Sequence, residues 1–409
     1  MRSTSWIRNR SASLMAAQST EAVAPHPPLL FHDVVPHNSG AIAATNLATP
    51  SADHAVVHGD GPWPTGSAEQ AVAWEDGVIT YVGPADGLSG VEPEWFEGCT
   101  IAPGFVDCHT HLPFAGWRAD EFEARLSGIS YRELHGEGGI YRSARMLAEA
   151  NDDEVLAFSR SLVQEMADHG TTALELKTGY GLSVEAELRQ ARLARRLAQD
   201  APQTCPVTLL ACHAVPEGME RADWVRTVCD ELIPAAAKEG LADAVDVYVE
   251  DIAFTVDDLA EIARCASDAG LPLRCHADQL GPSGAAEAAV ALGARCADHL
   301  NQVSATGIAA LGGADGTVAV LLPTSTLFLG SSPPDVRGLL DAGAAPSAAI
   351  PTGETWFKWS ALLAPSATAA SAAPEGPSWS AWQRSGSPVS DAHRETSARS
   401  STVNAMSST

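Results

Sequence analysis

Lysine is nearly absent: Lys177, Lys238 and Lys358 are the three in 409 residues. Lys and Arg total 25 against 51 Asp and Glu, a net charge of −26. Such a chain repels phosphate backbones and anionic lipid, so nucleic-acid and membrane-surface roles are not expected. Two readings of the bias stay open: a genome that writes Arg for Lys, or an acidic surface suited to high salt, where screening relieves self-repulsion. No apolar run reaches the roughly 18 residues that a transmembrane helix needs. No G-x-S-x-G occurs, so a serine-nucleophile elbow has no support. The eight cysteines are scattered with no C-x-x-C pair and read as reduced, buried thiols of a cytoplasmic protein. The arginine-bearing N-terminus lacks the apolar stretch of about 7–15 residues that a secretory signal carries and is expected to be a leader.

What is present suits one large enzyme domain with an appendage. Hydrophobic residues make up 45 % and charged ones 19 %, which excludes global disorder. Residues 1–65 are rich in Ala, Ser, His and Pro, with short apolar runs such as Leu29–Phe31 and Ala55–Val57. AVAWEDGVITYVGP (71–84) reads as two strands around the Asp76-Gly77 turn.

From about 101 a different rhythm begins. Seven short apolar runs end in polar residues: 101–111, 171–180, 206–215, 244–251, 271–279, 295–300 and 316–323. Helical stretches separate them, among them 152–170, closed by a glycine, and 183–200, opened by a Ser cap. Strands alternating with helices predict a parallel α/β fold, and polar residues at the strand ends favour a barrel, whose sites form there. After about Ala345 the composition shifts to Ser, Ala and Pro with four tryptophans, and four acidic residues balance four basic ones. That tail reads as disordered or foreign to the domain before it.

His109-Thr110-His111 is the first chemical signal. On a strand, residues i and i+2 face the same way, so both imidazoles can reach one metal. An isolated H-x-H is common by chance, but this one follows PGFVD at the end of an apolar run. His213, His276 and His299 end later runs. One such histidine is more often structural, whereas a barrel converges several on one pocket. Three N/O ligands with an open position suit hydrolysis of a carbonyl, amide or imine. His135 and His169 read as surface residues.

PGFVDCHTHLPFAGWRADEFEARLSG, LELKTGYGLSVEAELRQARLARRL, CHAVPEG, HADQLGPSGAAEAAVALGARCADHLNQVS and VAVLLPTSTLFL together resemble imidazolonepropionases, of the amidohydrolase superfamily, across residues 70 to 345. The resemblance implies a distorted (β/α)8 barrel with one divalent metal, Zn or Fe, beside a small β-sandwich built from both chain ends. The organisation expected is a leader with weak β segments (1–65), the first part of the sandwich (66–100), the barrel (101–345) and the atypical tail (346–409). The resemblance also implies hydrolysis of 4-imidazolone-5-propanoate to N-formimino-L-glutamate in histidine breakdown, a carboxylate-bearing small-molecule substrate and a homodimer.

Carried over by position, His109, His111 and His276 are the implied metal ligands, and His276 and His299 the implied catalytic residues, His299 bonding the attacking water. Arg118 would clamp the substrate carboxylate; from the residues alone it reads as a surface ion pair with Asp120 or Glu121. Tyr131, Tyr180, His213 and Gln279 are implied substrate contacts, Gln279 standing where many relatives have Glu. The departure comes at the eighth strand, where the family carries an Asp that completes the metal site; the matching position here is about Pro351. The eighth strand and the sandwich are therefore expected to be incomplete, and hydrolase activity low. Two rival readings stand beside this one: a deaminase or guanidine hydrolase, against which Arg118, Tyr180 and His213 argue, and a non-catalytic remnant that binds metal or ligand only.

Overall fold

In the computed structural model, the described residues are 29–31, 40–47, 70–75, 78–102, 104–129, 133, 138–344 and 346–348. They form two sheets. The larger is built from β6 (Phe105–Thr110), β7 (Thr171–Lys177), β8 (Val207–Cys212), β9 (Ala244–Val249), β10 (Leu273–Ala277), β11 (Cys296–His299), β12 (Val318–Leu321) and β13 (Pro346–Ala348). These eight strands are parallel and lie side by side in chain order. Across the remaining gap, Cys108 Sγ on β6 meets Ser347 Oγ on β13 at 3.8 Å, so the ring is a nearly closed (β/α)8 barrel.

The sequence explains why these runs become strands. VTLLAC of β8 and AVDVYV of β9 are buried at every position, as parallel strands covered on both faces must be. The intervening helices each bury one stripe. Asp152–Asp168 starts at Asn151, whose side chain accepts from Glu154 N–H in a reciprocal capping box, and stops before Gly170 (φ +92°). Val184–Asp200 starts at Ser183, which accepts from Ala186 N–H, and buries Leu188, Ala191, Ala194 and Leu197. Trp224, fully buried, donates its indole N–H to the Ala211 carbonyl at 3.1 Å and pins a helix to β8.

The smaller sheet is built from β1 (Leu29–Phe31), β2 (Gly40–Leu47), β3 (Gln70–Glu75), β4 (Val78–Pro84) and β5 (Glu94–Ala102), in the spatial order β1-β5-β2-β3-β4. β3 and β4 pair antiparallel, Ala71 with Gly83 and Val72 with Val82, as the hairpin pattern predicts; the Asp76-Gly77 turn lies outside the described residues. β2 is an eight-residue strand that the sequence reading does not anticipate. Among the described residues this unit is one sheet, with Ile79, Val82 and Trp95 exposed. Ala55–Val57 and everything after Ala348 lie outside the described residues.

One expectation is overturned. Cys229 and Cys265 form a disulfide rather than two thiols. Cys229 sits in the Val228–Leu232 segment and Cys265 in the helix Val256–Asp268, with Cα atoms 5.5 Å apart, within bridging distance. Cys108, Cys205, Cys212, Cys275 and Cys296 are free thiols.

Candidate metal centre

The C-terminal ends of the barrel strands gather the histidines. His109 and His111, two residues apart at the end of β6, and His276 on β10 bring their Nε2 atoms together: His109 to His111 at 3.2 Å, His276 to His111 at 3.4 Å. Bare imidazole lone pairs at such distances repel unless a proton or a cation lies between them. Zn–N bonds of about 2.0–2.1 Å at tetrahedral angles place ligand nitrogens roughly 3.4 Å apart, so the spacing suits one shared ion. Burial, with His276, Lys177 and the other imidazoles adding to it, holds His109 well below the usual histidine range. His111 is lowered by the same burial, then by His213 and His276. Neutral imidazole is the form that ligates.

The Nδ1 sides face carboxylates. His109 Nδ1 lies 2.6 Å from Asp298 Oδ2, and His276 Nδ1 lies 3.0 Å from Asp246 Oδ2. A donating Nδ1–H leaves Nε2 bare and aimed inward. Behind these acids Lys177, fully buried, contacts Asp246 at 2.7 Å, Glu175 at 2.9 Å and Asp298 at 3.4 Å. Arg274 pairs with Glu175 at 2.9 Å, and Thr208 donates to the same carboxylate. Burial opposes the Lys177 charge, but the three carboxylates outweigh it and hold the ammonium above its usual range. Burial likewise raises Glu175, whereas for Asp246 it is outweighed by His276 and Lys177, which hold that carboxyl low. Burial pushes Asp107, below His109 on β6, up to about 7.

None of Glu175, Lys177, Asp246, Arg274 or Asp298 was picked out from the sequence. Their signal was there: charged residues inside otherwise apolar strands, as in TTALELK and AVDVYV. A charge in a run buried on both faces must find partners inside.

The remaining candidates surround the three imidazoles. The His213 ring stacks on His111 with centroids 4.8 Å apart, and its Nδ1 donates to the Gly179 carbonyl at 3.2 Å. Tyr180 is buried, its ring 5.8 Å from His111 and 5.5 Å from His213. His299 ends β11 in the left-handed region (φ +78°), with its ring 5.1 Å from His109 and 5.2 Å from His276 and its Nδ1 buried without a hydrogen-bond partner. Gln279 is buried and its amide donates to Ser325 Oγ at 3.5 Å. Arg118 precedes the helix Ala119–Leu126 and meets Glu121 at 3.1 Å, the ion pair that the residues alone suggest. Burial raises the Tyr180 hydroxyl, with the Arg118 charge opposing it, and burial lowers His213, where His276 and then Arg118 push the same way. His169 is half-buried, its Nδ1 donating to the Glu165 carbonyl. Tyr131, His135 and the Pro351 position lie outside the described residues.

The model of the Amidohydrolase family matches residues 100–331. The chain is 43 % identical over 282 residues to the imidazolonepropionase of Myxococcus xanthus, covering 66 % of this chain and 67 % of that protein. It is 44 % identical over 279 residues to that of Rhizorhabdus wittichii, covering 66 % and 70 %. To that of Methylobacterium nodulans it is 44 % identical over 263 residues, covering 63 % and 66 %. The chain thus spans about two thirds of the length of the curated relatives it matches. Among solved structures, 5-methylcytosine deaminase from Klebsiella pneumoniae superposes with a TM-score of 0.54 at 15 % identity, over 76 % of this chain and 75 % of that one. Guanine deaminase from C. acetobutylicum gives 0.52 at 16 %, over 76 % and 74 %. At such identity these two speak for the fold. The sequence identity, together with a family match over 100–331 that takes in every residue of the histidine cluster, places the chain among the imidazolonepropionases of the amidohydrolase family.

Proposed function

We propose that this chain hydrolyses a cyclic amide C–N bond, opening the ring of 4-imidazolone-5-propanoate to N-formimino-L-glutamate in histidine breakdown. The observation that carries the reading is the convergence of three Nε2 atoms, from His109, His111 and His276, with the His213 and Tyr180 rings packed against His111. The three imidazoles would hold one divalent ion, Zn or Fe. Such an ion supplies Lewis acidity, which makes water a nucleophile at neutral pH and polarises the carbonyl it attacks.

The chain's own residues do the rest. His299 is the acceptor for the attacking water, with His276 beside it; its backbone turns sharply at the strand end, and its Nδ1 is unpartnered. His213, with Nδ1 engaged by the Gly179 carbonyl, offers Nε2 to a ring N–H. Tyr180, whose hydroxyl is kept neutral by burial, stays a donor. Arg118 takes the propanoate carboxylate, and Glu121, held by Gly139 N–H and Arg142, fixes its approach. Gln279 and Tyr131 complete the substrate contacts. The family resemblance extends the proposal to a homodimer in the cytoplasm. No helix among the described residues is long and apolar enough to cross a membrane.

The test measures metal content, ring opening and ligand binding on one purified sample. Metal-dependent turnover is expected, slowed by roughly 10²- to 10⁴-fold against a curated relative because the proton-accepting carboxylate of the eighth strand is missing. Imidazole-4-propanoate should bind the metal-loaded protein, and Arg118→Ala should weaken it by about 1.5–3 kcal/mol, roughly 10- to 150-fold. Failure of any imidazole carboxylate to bind would overturn the reading, and turnover of a cytosine or guanine instead would favour a deaminase.

A further inference from the structure

Lys177 has no part in the chemistry above, yet it is the most deeply enclosed cation of the described barrel. Asp246, His276 and Asp298 form a second group whose ligand atoms lie within 4.8 Å of one another. The space among the acids is taken by the Lys177 ammonium, 2.7 Å from Asp246 Oδ2, 2.9 Å from Glu175 Oε2 and 3.4 Å from Asp298 Oδ2. Three carboxylates thus surround a group that carries three protons.

The oxygens concerned are shared. Asp298 Oδ2, which faces Lys177, is also the atom 2.6 Å from His109 Nδ1. Asp246 Oδ2, bonded to Lys177, is also the atom 3.0 Å from His276 Nδ1. Two chains therefore run from one ammonium through a carboxylate to an imidazole, and both end at Nε2 atoms that approach His111. Fixing the carboxylates fixes the tautomer and direction of both rings. His111 lacks such a partner: its Nδ1 is buried with no hydrogen bond.

We propose that Lys177 is a positioning residue, a built-in cation that occupies the place a second divalent ion would take and, through Asp246 and Asp298, aims His276 and His109 at a single ion. The inference rests on the reading of His109, His111 and His276 as ligands.

The test uses the full chain and its Lys177→Met and Lys177→Arg variants, loaded with Co²⁺ or Zn²⁺. The readouts are ions bound per chain, affinity by chelator competition and the visible Co²⁺ spectrum. The parent should bind one ion per chain. Lys177→Met should bind it roughly 10- to 100-fold more weakly, with shifted Co²⁺ bands, the loss typical when partners of ligating histidines are removed. Lys177→Arg, which keeps the charge, should recover part of the affinity and move the bands back toward the parent. A folded Lys177→Met protein with the parent's affinity and spectrum overturns the proposal. So does a parent that takes up two ions per chain. If Lys177→Met does not fold, Lys177→Gln, which removes the charge but keeps hydrogen-bonding capacity, takes its place, and an affinity and spectrum equal to the parent's would refute a positioning role. A parent that binds no ion removes the ligand reading itself, a result distinct from a loss confined to the variants.

Discussion

Gln190 offers the sharpest test of how the pocket wall is held. It is fully buried in the helix Val184–Asp200 and bridges two loops. Its Oε1 accepts from Gly179 N–H at 3.1 Å and Tyr180 N–H at 3.0 Å, and its Nε2 donates to the Pro113 carbonyl at 2.9 Å. Replacing it with Leu keeps the volume and removes all three bonds. Gly179 N–H retains Glu187, whose Oε2 lies 3.2 Å away, but Tyr180 N–H and the Pro113 carbonyl lose the partner. Two buried groups left unpaired cost about 1–3 kcal/mol each, so about 2–6 kcal/mol in total. The extra apolar burial of Leu returns roughly 1 kcal/mol. A net loss of about 1–5 kcal/mol is therefore expected in urea unfolding of Gln190→Leu, read as a lower midpoint. The loop that loosens carries Tyr180, while His109 and His276 stay tied to Asp298 and Asp246. Binding of imidazole-4-propanoate should consequently weaken more than metal binding does. A variant within 0.5 kcal/mol of the parent, on the order of an ordinary surface substitution, would show that the bridge is not what holds these loops.

Other consequences are open to direct measurement. Burial pushes the Cys205 thiol up to about 12, so iodoacetamide at pH 8 should leave it unmodified in the folded protein and label it after denaturation. Because its folded pKa lies above the unfolded one, the associated stability is present below about pH 9 and is lost as pH rises toward 12; Cys205→Ala should remove that part of the alkaline decline, and an identical decline in both proteins would refute it. Trp224→Ala should cost about 3–5 kcal/mol, from a large cavity and from the Ala211 carbonyl losing its partner, and a melting temperature equal to the parent's would refute the anchoring role.

Much of the barrel was legible because parallel strands enclosed on both faces leave continuous apolar runs, and all seven such runs are strands β6 to β12. The histidines were legible for a related reason: each ends a run, and the barrel brings run ends together. β2 was not legible, since GAIAATNL is mostly small residues with no strong alternation to mark a face. The Cys229–Cys265 bridge joins residues 36 apart on separate helical segments, a proximity that only the packing of those segments creates. The buried charges were visible as residues but not as a network, because which acid meets Lys177 depends on the relative register of β7, β9 and β11.

The eighth strand separates what a barrel needs from what its chemistry needs. β13 has three residues, yet it completes the sheet by pairing Ala319 with Pro346, Val320 with Ser347 and Leu321 with Ala348. Backbone pairing asks little of side chains, so a short Pro-Ser-Ala segment suffices to hold the position beside β12. Catalysis asks for one carboxylate at one place, and β13 brings none. Among the described acids near the imidazoles, Asp246 and Asp298 each have Oδ2 engaged by Lys177 and a histidine. Glu175 is held by Lys177, Arg274 and Thr208. Moving any of them toward a substrate would break a buried ion pair, at a cost of about 3–5 kcal/mol. The same network therefore holds these three acids in place, and on the proposed function the expected outcome is a chain that binds a divalent ion yet turns over slowly, checked by metal content and ring opening on one sample.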